Sequence, residues 1–407
     1  LVARRAAEVK RPFEIAIVGA GVSGLMLAAR LAGSVVASEL RITILDAGPR
    51  PVPSPDDDVA LRVSAIATGS ADMLDSVGAW QHVDMSRRCA YERMRVWDEN
   101  GVPDSSSALQ FDAAGFAVPQ LGFIVENVLL RAALLRRLDE ADVALRFATP
   151  IRALRQLGQR HCIDLDGDEL HADLVVGADG SRSFVRTEAG IGSRLWPYGQ
   201  TAFVTHLQPE EPHRATAWQR FLKEGPLGIL PLADGRVSIV WSTRPDNARR
   251  AGDADDVQLG RILSSASDHV LGSLEVAGPR GSFPLAAQHA EHYVLPGIAL
   301  IGDAAHAIHP LAGQGANLGL RDADELAEVI SGALQQGLHP ADLPVLRRYE
   351  RARRGSNATM LHLMTALNRL FTTDSTIVAE LRMAGMRLFN RSGPVRDQAV
   401  KVALGVG

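Results

Sequence analysis

Gly19, Gly21 and Gly24 stand at the spacing at which a backbone can wrap a pyrophosphate, and Asp46 follows twenty-two residues after the last of them. Gly19 permits a tight turn, Gly21 lets the backbone approach the phosphates, and Gly24 lets a helix pack on a strand. The start of that helix supplies amide donors. Asp46 stands where a carboxylate can meet a ribose hydroxyl. Two later glycine turns also carry acids, Gly177-Ala-Asp-Gly-Ser-Arg-Ser with Asp179, and the long run from Gly302-Asp303 to Leu318-Gly319. An Asp at a strand end, such as Asp303, can bind a polyol hydroxyl. The loop and helix start that follow can turn amides toward a partial negative charge.

These turns need strands and helices to hold them. Phe13 to Val18 is almost wholly apolar and predicts a parallel strand buried on both faces, running into the first glycines. A helix follows from Leu25, and a second strand spans Arg41 to Leu45. Leu174 to Gly177 and Ile298 to Ile301 predict two further buried strands, each ending in a turn. The apolar positions from Arg62 to Trp80 predict a helix ending at Gly78, and Glu126 to Leu138 predicts another. Alternation over Val237 to Ser242, among many turn residues, predicts an antiparallel sheet between Trp196 and Phe283. From Pro340 onward the pattern is helical.

Each feature has a blander reading. A glycine turn can serve packing alone, but here it follows a strand, opens a helix and has its acid. Asp303, His306 and His309 fall three apart, a spacing that could offer two histidines and a carboxylate to iron. The polyol-binding role open to Asp303 and the Gly-Pro continuation favour packed, hydrogen-bonded histidines, and no metal is expected. The arginines at 347, 348, 351, 353 and 354 read as a solvated helix face, with an anionic docking surface as the other reading. The apolar run of Ile377, Val378, Leu381, Met383, Ala384, Met386, Leu388 and Phe389 either packs as core or covers a mouth for a lipid tail.

Composition excludes several classes. The chain has 407 residues, 46% hydrophobic and 22% charged, which suits two or three globular units. A net charge of -4 gives no basic field for nucleic acid. Lys10, Lys223 and Lys401 are the only lysines and none follows a glycine loop, which removes the P-loop. Two cysteines, Cys89 and Cys162, are too few for a disulfide framework. No run is long enough to span a bilayer, Leu1 to Pro12 has no apolar signal core behind it, and the opening Leu1-Val-Ala-Arg-Arg reads as a flexible leader. A cytoplasmic protein is expected.

The three glycine motifs in this order resemble the class A flavoprotein aromatic hydroxylases, with the para-hydroxybenzoate hydroxylase fold. Arg62-Val-Ser-Ala-Ile, Tyr91-Glu-Arg-Met-Arg-Val-Trp, Leu121-Gly-Phe-Ile-Val-Glu-Asn, Trp218-Gln-Arg-Phe, Leu230-Pro-Leu and His309-Pro-Leu-Ala-Gly-Gln-Gly are similar to the ubiquinone-biosynthesis hydroxylases. Phe111-Asp-Ala-Ala through Asn127, with the C-terminal Gln398-Ala-Val-Lys-Val-Ala-Leu-Gly, is most similar to the branch acting on 3-methyl-6-methoxy-polyprenylbenzoquinol.

The resemblance implies an α/β fold: a Rossmann-like FAD-binding domain over 13–190 and 285–335, with substrate-side segments near 81–120. A substrate-binding antiparallel sheet at 191–284 and a helical region at 336–407 complete it. It implies that Gly19, Gly21 and Gly24 cradle the FAD pyrophosphate, Asp46 holds the adenosine ribose, and Arg62 and Asn127 lie against the cofactor. Gly302 and Asp303 would take the ribitol. Pro310, Gly313, Gln314, Gly315 and Asn317 would line the isoalloxazine. The Asp179 turn, with Arg182 and Arg186, is associated with FAD and NAD(P)H, and His309 with Pro310 would stand nearest the chemistry.

The implied reaction is hydroxylation of a polyprenyl phenol or quinol ring in ubiquinone biosynthesis, using O2 and NAD(P)H, with NADPH preferred, through a flavin C4a-hydroperoxide. The implied associations are a biosynthetic protein complex, peripheral contact with the inner membrane and a homo-oligomer. Another ring-hydroxylation step, a class A hydroxylase of a different aromatic, or a non-catalytic prenyl-binding scaffold are the alternatives.

Overall fold

Ile15, Ala16 and Ile17 are at most 1% exposed because their strand, Phe13–Val18, is the inner member of a six-stranded sheet. It pairs in parallel with Leu40–Leu45 on one side and Leu174–Gly177 on the other. Val143–Arg146 and Ile298–Leu300 extend the parallel run, and Val294–Leu295 closes one edge antiparallel. Burial on both faces is what makes such strands continuous apolar runs. This computed structural model describes residues 11–54, 56–373 and 376–405. Residues 1–10, where the leader was expected, lie outside the described residues.

The helices Val22–Ala32 and Gln314–Gln335 lie against each other above this sheet. They approach closely, since a Cβ on Gly319 would sit 2.2 Å from Ser23 Oγ. The predicted helix over Arg62 to Trp80 is corrected. Val63–Ala67 is a strand, and the helix is confined to Thr68–Ser76. Val63 to Ala67 pairs residue for residue with Gly122–Glu126, which also carries Cys89–Tyr91 on its other edge. A cross-strand partner distant in sequence has overridden the local pattern. The next helix runs Asn127–Leu138, one residue inside its expected start.

A second, eight-stranded sheet carries the long strands Ser193–Pro209 and Leu274–Ala290 beside Val237–Thr243, Gly225–Pro231 and Thr216–Leu222. It recruits Arg93–Asp98, which pairs in parallel with Thr216–Leu222, and then Leu109–Asp112. Phe203, Leu227, Ile229, Ile239 and Trp241 face one way and pack with Leu259 and Leu263 of the helix Asp256–Ala266. By alternation their neighbours face the other way, toward the first sheet.

The C-terminal helices are Leu343–Thr372, Thr376–Arg391 and Pro394–Leu404. Arg347, Arg348, Arg351 and Arg354 are exposed, as a solvated face requires, but Arg353 turns inward to Asp322. Met386 packs with Val96, Phe221 and Met364, so this part of the apolar run is core. The side chains of Ile377, Val378 and Leu381 lie outside the described residues. Arg382 and Asp98 form an ion pair at 2.9 Å, 4% and 2% exposed, which fastens the helix to the sheet. Among the described residues no helix is long and apolar enough to cross a membrane.

Candidate functional site

A cavity of about 1560 Å³ opens between the two sheets. One half is built by the glycine turns. The Gly19 turn has φ +108°, and a Cβ there would lie 2.3 Å from Ala178 O, so only glycine fits. Gly24 is equally constrained, with Gly19 O 2.1 Å from a Cβ position, and it does not line the cavity. Gly21 is different: its nearest neighbour to a Cβ is Ala178 O at 3.9 Å, and its open side faces the cavity. The helix that follows has no side-chain cap, which leaves its first amides for a ligand.

Asp46 lines the same half, and its carboxylate is already engaged. Oδ2 accepts from Ala20 N at 2.7 Å, and Oδ1 accepts from Gly48 N at 2.8 Å. Arg131, not singled out in the sequence, donates to Ala20 O at 2.8 Å and lies 3.8 Å from Asp46. Its signal was its place one turn beyond Asn127, alone among the apolar residues from Val128 to Leu135. Asn127 accepts from Ser64 Oγ at 2.6 Å at the cavity wall, and Arg62 stands over the Phe283 ring at 5.9 Å. Asp179 accepts from Ser183 Oγ and from Val185 N, shaping its turn. Arg182 is exposed at the cavity, whereas Arg186 is buried and donates to Ala304 O and Ser181 O. Burial lowers the Arg186 pKa.

Asp303 is exposed at the cavity, onto which its carboxylate opens. The protein packed around that cavity raises its pKa, desolvation first, against the opposing pull of His306 and Arg62. Gly302 behind it has φ +58° and donates its N–H to Asp322 Oδ2 at 3.1 Å. Asp322, fully buried on the helix Gln314–Gln335, also accepts from His306 Nε2 at 2.5 Å, Arg353 at 2.8 Å and Asn357 at 3.0 Å. Burial alone would push its pKa up, but His306 and Arg353 with the hydrogen bonds from His306 and Asn357 outweigh that and hold it low.

Pro310, Gly313 and Gly315 reach the cavity wall. Gly313, at φ +61°, precedes the start of the helix Gln314–Gln335, which has no side-chain cap and turns toward the space. Gln314 and Gly302 do not line it. Asn317 is corrected from lining residue to pin: its amide donates to Ala65 O and Gly313 O and accepts from Ala67 N. His309 is likewise corrected. It lies outside the wall, donates to Gln200 Oε1 at 3.1 Å and meets Tyr198 edge-on at 4.8 Å. Burial pushes its pKa down to about 4, so it is neutral. With His306 held by Asp322, the two histidines and Asp303 do not converge. Among the described residues the grouping that brings three possible metal ligands together is Cys162, Glu169 and His171, outside this wall.

The other half of the cavity is mostly apolar. Ala202, Val204, Ala217, Leu230 and Val240 come from adjacent strands of the large sheet. Ala60 joins the two sides: its N–H donates to Glu126 at 2.6 Å and its carbonyl accepts from His206 Nε2 at 3.1 Å. The polar half fits FAD on the chain's own terms, with an open glycine at one uncapped helix start, a second uncapped start, and an acid facing the space.

The family described as FAD binding domain matches residues 13–362. The chain is 36% identical over 401 residues to the 3-demethoxyubiquinol 3-hydroxylase of Escherichia coli, covering 97% of this chain and 99% of that one. It is 38% identical over 407 residues to the ubiquinone hydroxylase UbiL of Rhodospirillum rubrum, covering 96% and 89%. In fold it is similar to Pseudomonas aeruginosa PqsL, solved with 2-aminobenzoylacetate, at TM-score 0.75 and 21% identity over 92% of this chain and 99% of that one.

Proposed function

This chain belongs to the FAD-dependent ubiquinone hydroxylases, flavoprotein monooxygenases, and from that premise we propose that it hydroxylates the ring of a polyprenyl phenol or quinol intermediate in ubiquinone biosynthesis. The step proposed is that on 3-methyl-6-methoxy-polyprenylbenzoquinol, with NADPH as reductant. The observation that carries the reading is the division of one cavity into a polar half of glycine turns and an apolar half of sheet side chains.

Bound FAD would take reducing equivalents from NADPH and activate O2 for transfer to the ring. The chain's share is to bind, orient and exclude water. Gly19, Gly21 and Gly24 shape the turn for the pyrophosphate, and Asp46 sets its edge beside the ribose. Asp303 takes a ribitol hydroxyl, with Gly302 and Asp322 fixing its loop. Arg62 and Asn127 stand against the cofactor, as does the turn shaped by Asp179. Pro310, Gly313 and Gly315 border the isoalloxazine, and Gln314 opens the helix whose amides face the flavin's negative edge. The apolar strands exclude water and accept the alkylated ring. Nothing in this division of labour asks His309 to move a proton.

The test is extraction and mass spectrometry of quinone intermediates from cells lacking the protein. Accumulation of a polyprenyl intermediate one hydroxyl short, lost on complementation, is the expected result, and its mass names the step. A normal quinone pool, with a purified protein that consumes NADPH only on unprenylated aromatics, would overturn the reading.

A further inference from the structure

Gln219 breaks the chemistry of the wall it belongs to. It lies on the strand Thr216–Leu222 opposite Gly228, which lies opposite Val240, which in turn lies opposite Val204. All four residues line the cavity, on the face turned away from the Phe203, Ile229 and Trp241 core. The rung is therefore apolar except at one end. Gly228 places no side chain beside the amide, and a Cβ there would have only Val240 O near it, at 3.7 Å. The space next to Gln219 is thus left clear by the residue opposite.

Gln219 is 7% exposed, and among the described residues its amide has no hydrogen-bond partner. Two strands away on the same face, Ser242 is 2% exposed and its hydroxyl likewise has none. A primary amide carries two donors and an acceptor, and leaving them dry is costly. Such groups on the wall of a cavity are explained when a ligand supplies the partner.

We propose that the Gln219 amide hydrogen-bonds a ring oxygen of the aromatic substrate and sets which way the ring lies against the cofactor, with the Ser242 hydroxyl meeting the same polar edge. This rests on the ring-hydroxylase reading above. An amide can donate to a phenolate or methoxy oxygen and accept from a phenol, so it serves the ring in either protonation state without taking the proton. The apolar side chains around it would hold the alkyl substituents. Turning the ring over would leave the amide unpaired again, and that penalty selects the orientation.

The test is equilibrium binding to the flavin-loaded enzyme, read from the flavin absorbance, for wild type, Gln219→Leu, Gln219→Met and Ser242→Ala. The probes are a short-chain prenylated methoxyphenol and the matching prenylbenzene without ring oxygens. Wild type is expected to prefer the phenol by about tenfold, the size of one net hydrogen bond. Gln219→Leu and Gln219→Met should lose most of that preference while keeping flavin and prenylbenzene affinity. Ser242→Ala should lose less. Undiminished preference in either Gln219 variant overturns the assignment, as does a wild type that binds both probes equally, which leaves the prenyl reading standing. A wild type that binds neither probe sinks the prenylated-substrate reading itself, and the assignment with it.

Discussion

His306 Nε2 and Asp322 Oδ2 lie 2.5 Å apart, both side chains at most 1% exposed, directly behind the loop that presents Asp303. The same carboxylate holds Gly302 N, Arg353 and Asn357. Asp322→Ala would strand three buried partners at once, His306, Asn357 and the Gly302 N–H, and release Arg353 as well. A loss of about 3–5 kcal/mol is expected from denaturant unfolding, together with flavin release. The pKa of Asp322 is held low in the fold, so its contribution is present above the unfolded carboxylate value near 3.8 and is lost as pH falls below it. An Asp322→Ala protein as stable as wild type at pH 7 would refute the role.

Gly21 and Gly24 should fail in different ways. Gly24→Ala drives a Cβ into Gly19 O and should lower the melting temperature even of the apoprotein. Gly21→Val places its branches in the open side facing the cavity, so the apoprotein should melt near the wild-type temperature but purify without yellow colour. Full flavin occupancy in Gly21→Val would count against the pyrophosphate site.

Asp303→Ala should weaken FAD retention by about 1.5–3 kcal/mol, the scale of a hydrogen bond to a charged group. Flavin fluorescence on titration of the apoprotein measures it directly. Because the Asp303 pKa is raised, mainly by desolvation within the cavity, retention in wild type should fall off at a higher pH than an ordinary aspartate would give. Unchanged affinity in the variant would remove the acid from the site.

His309 should show itself in the pH dependence of stability. Burial holds it neutral in the fold to about pH 4, whereas the unfolded chain takes up a proton near 6.5. The unfolded state therefore binds more protons between these values, and stability must fall as pH drops through that window, by on the order of 2–3 kcal/mol for this group. His309→Gln should flatten the slope while leaving product formation at neutral pH within a few-fold of wild type. Abolished turnover with flavin intact would return His309 to the chemistry.

The nucleotide half was legible because its demands are local. Gly19, Gly21, Gly24 and Asp46 follow from one strand, one turn and one helix, and the buried strands announced themselves as apolar runs. What escaped depends on partners far along the chain. Val63 to Ala67 became a strand only through Gly122–Glu126. Asn317 looked like a loop residue facing a ligand, but bonds to Ala65 and Ala67, some 250 residues earlier, turned it into a pin. Asp322 left one faint trace, an acid one helical turn after Leu318 on the apolar side of its helix. Gln219 sits in a motif the sequence does display, but its want of a partner is visible only once the sheet is assembled.

Ala60 has a peptide group that is held from both sides, by the Glu126 carboxylate and the His206 ring, although its own side chain is a methyl. The specificity of that rivet is written at positions 126 and 206 and not at 60. A saturation library should find residue 60 permissive to any side chain with room and an N–H, with proline the exception, while Glu126 and His206 resist exchange. The most tightly fastened residue of the segment would then be its least informative letter, and a search for important positions by side-chain identity would pass over the place where the two halves are joined.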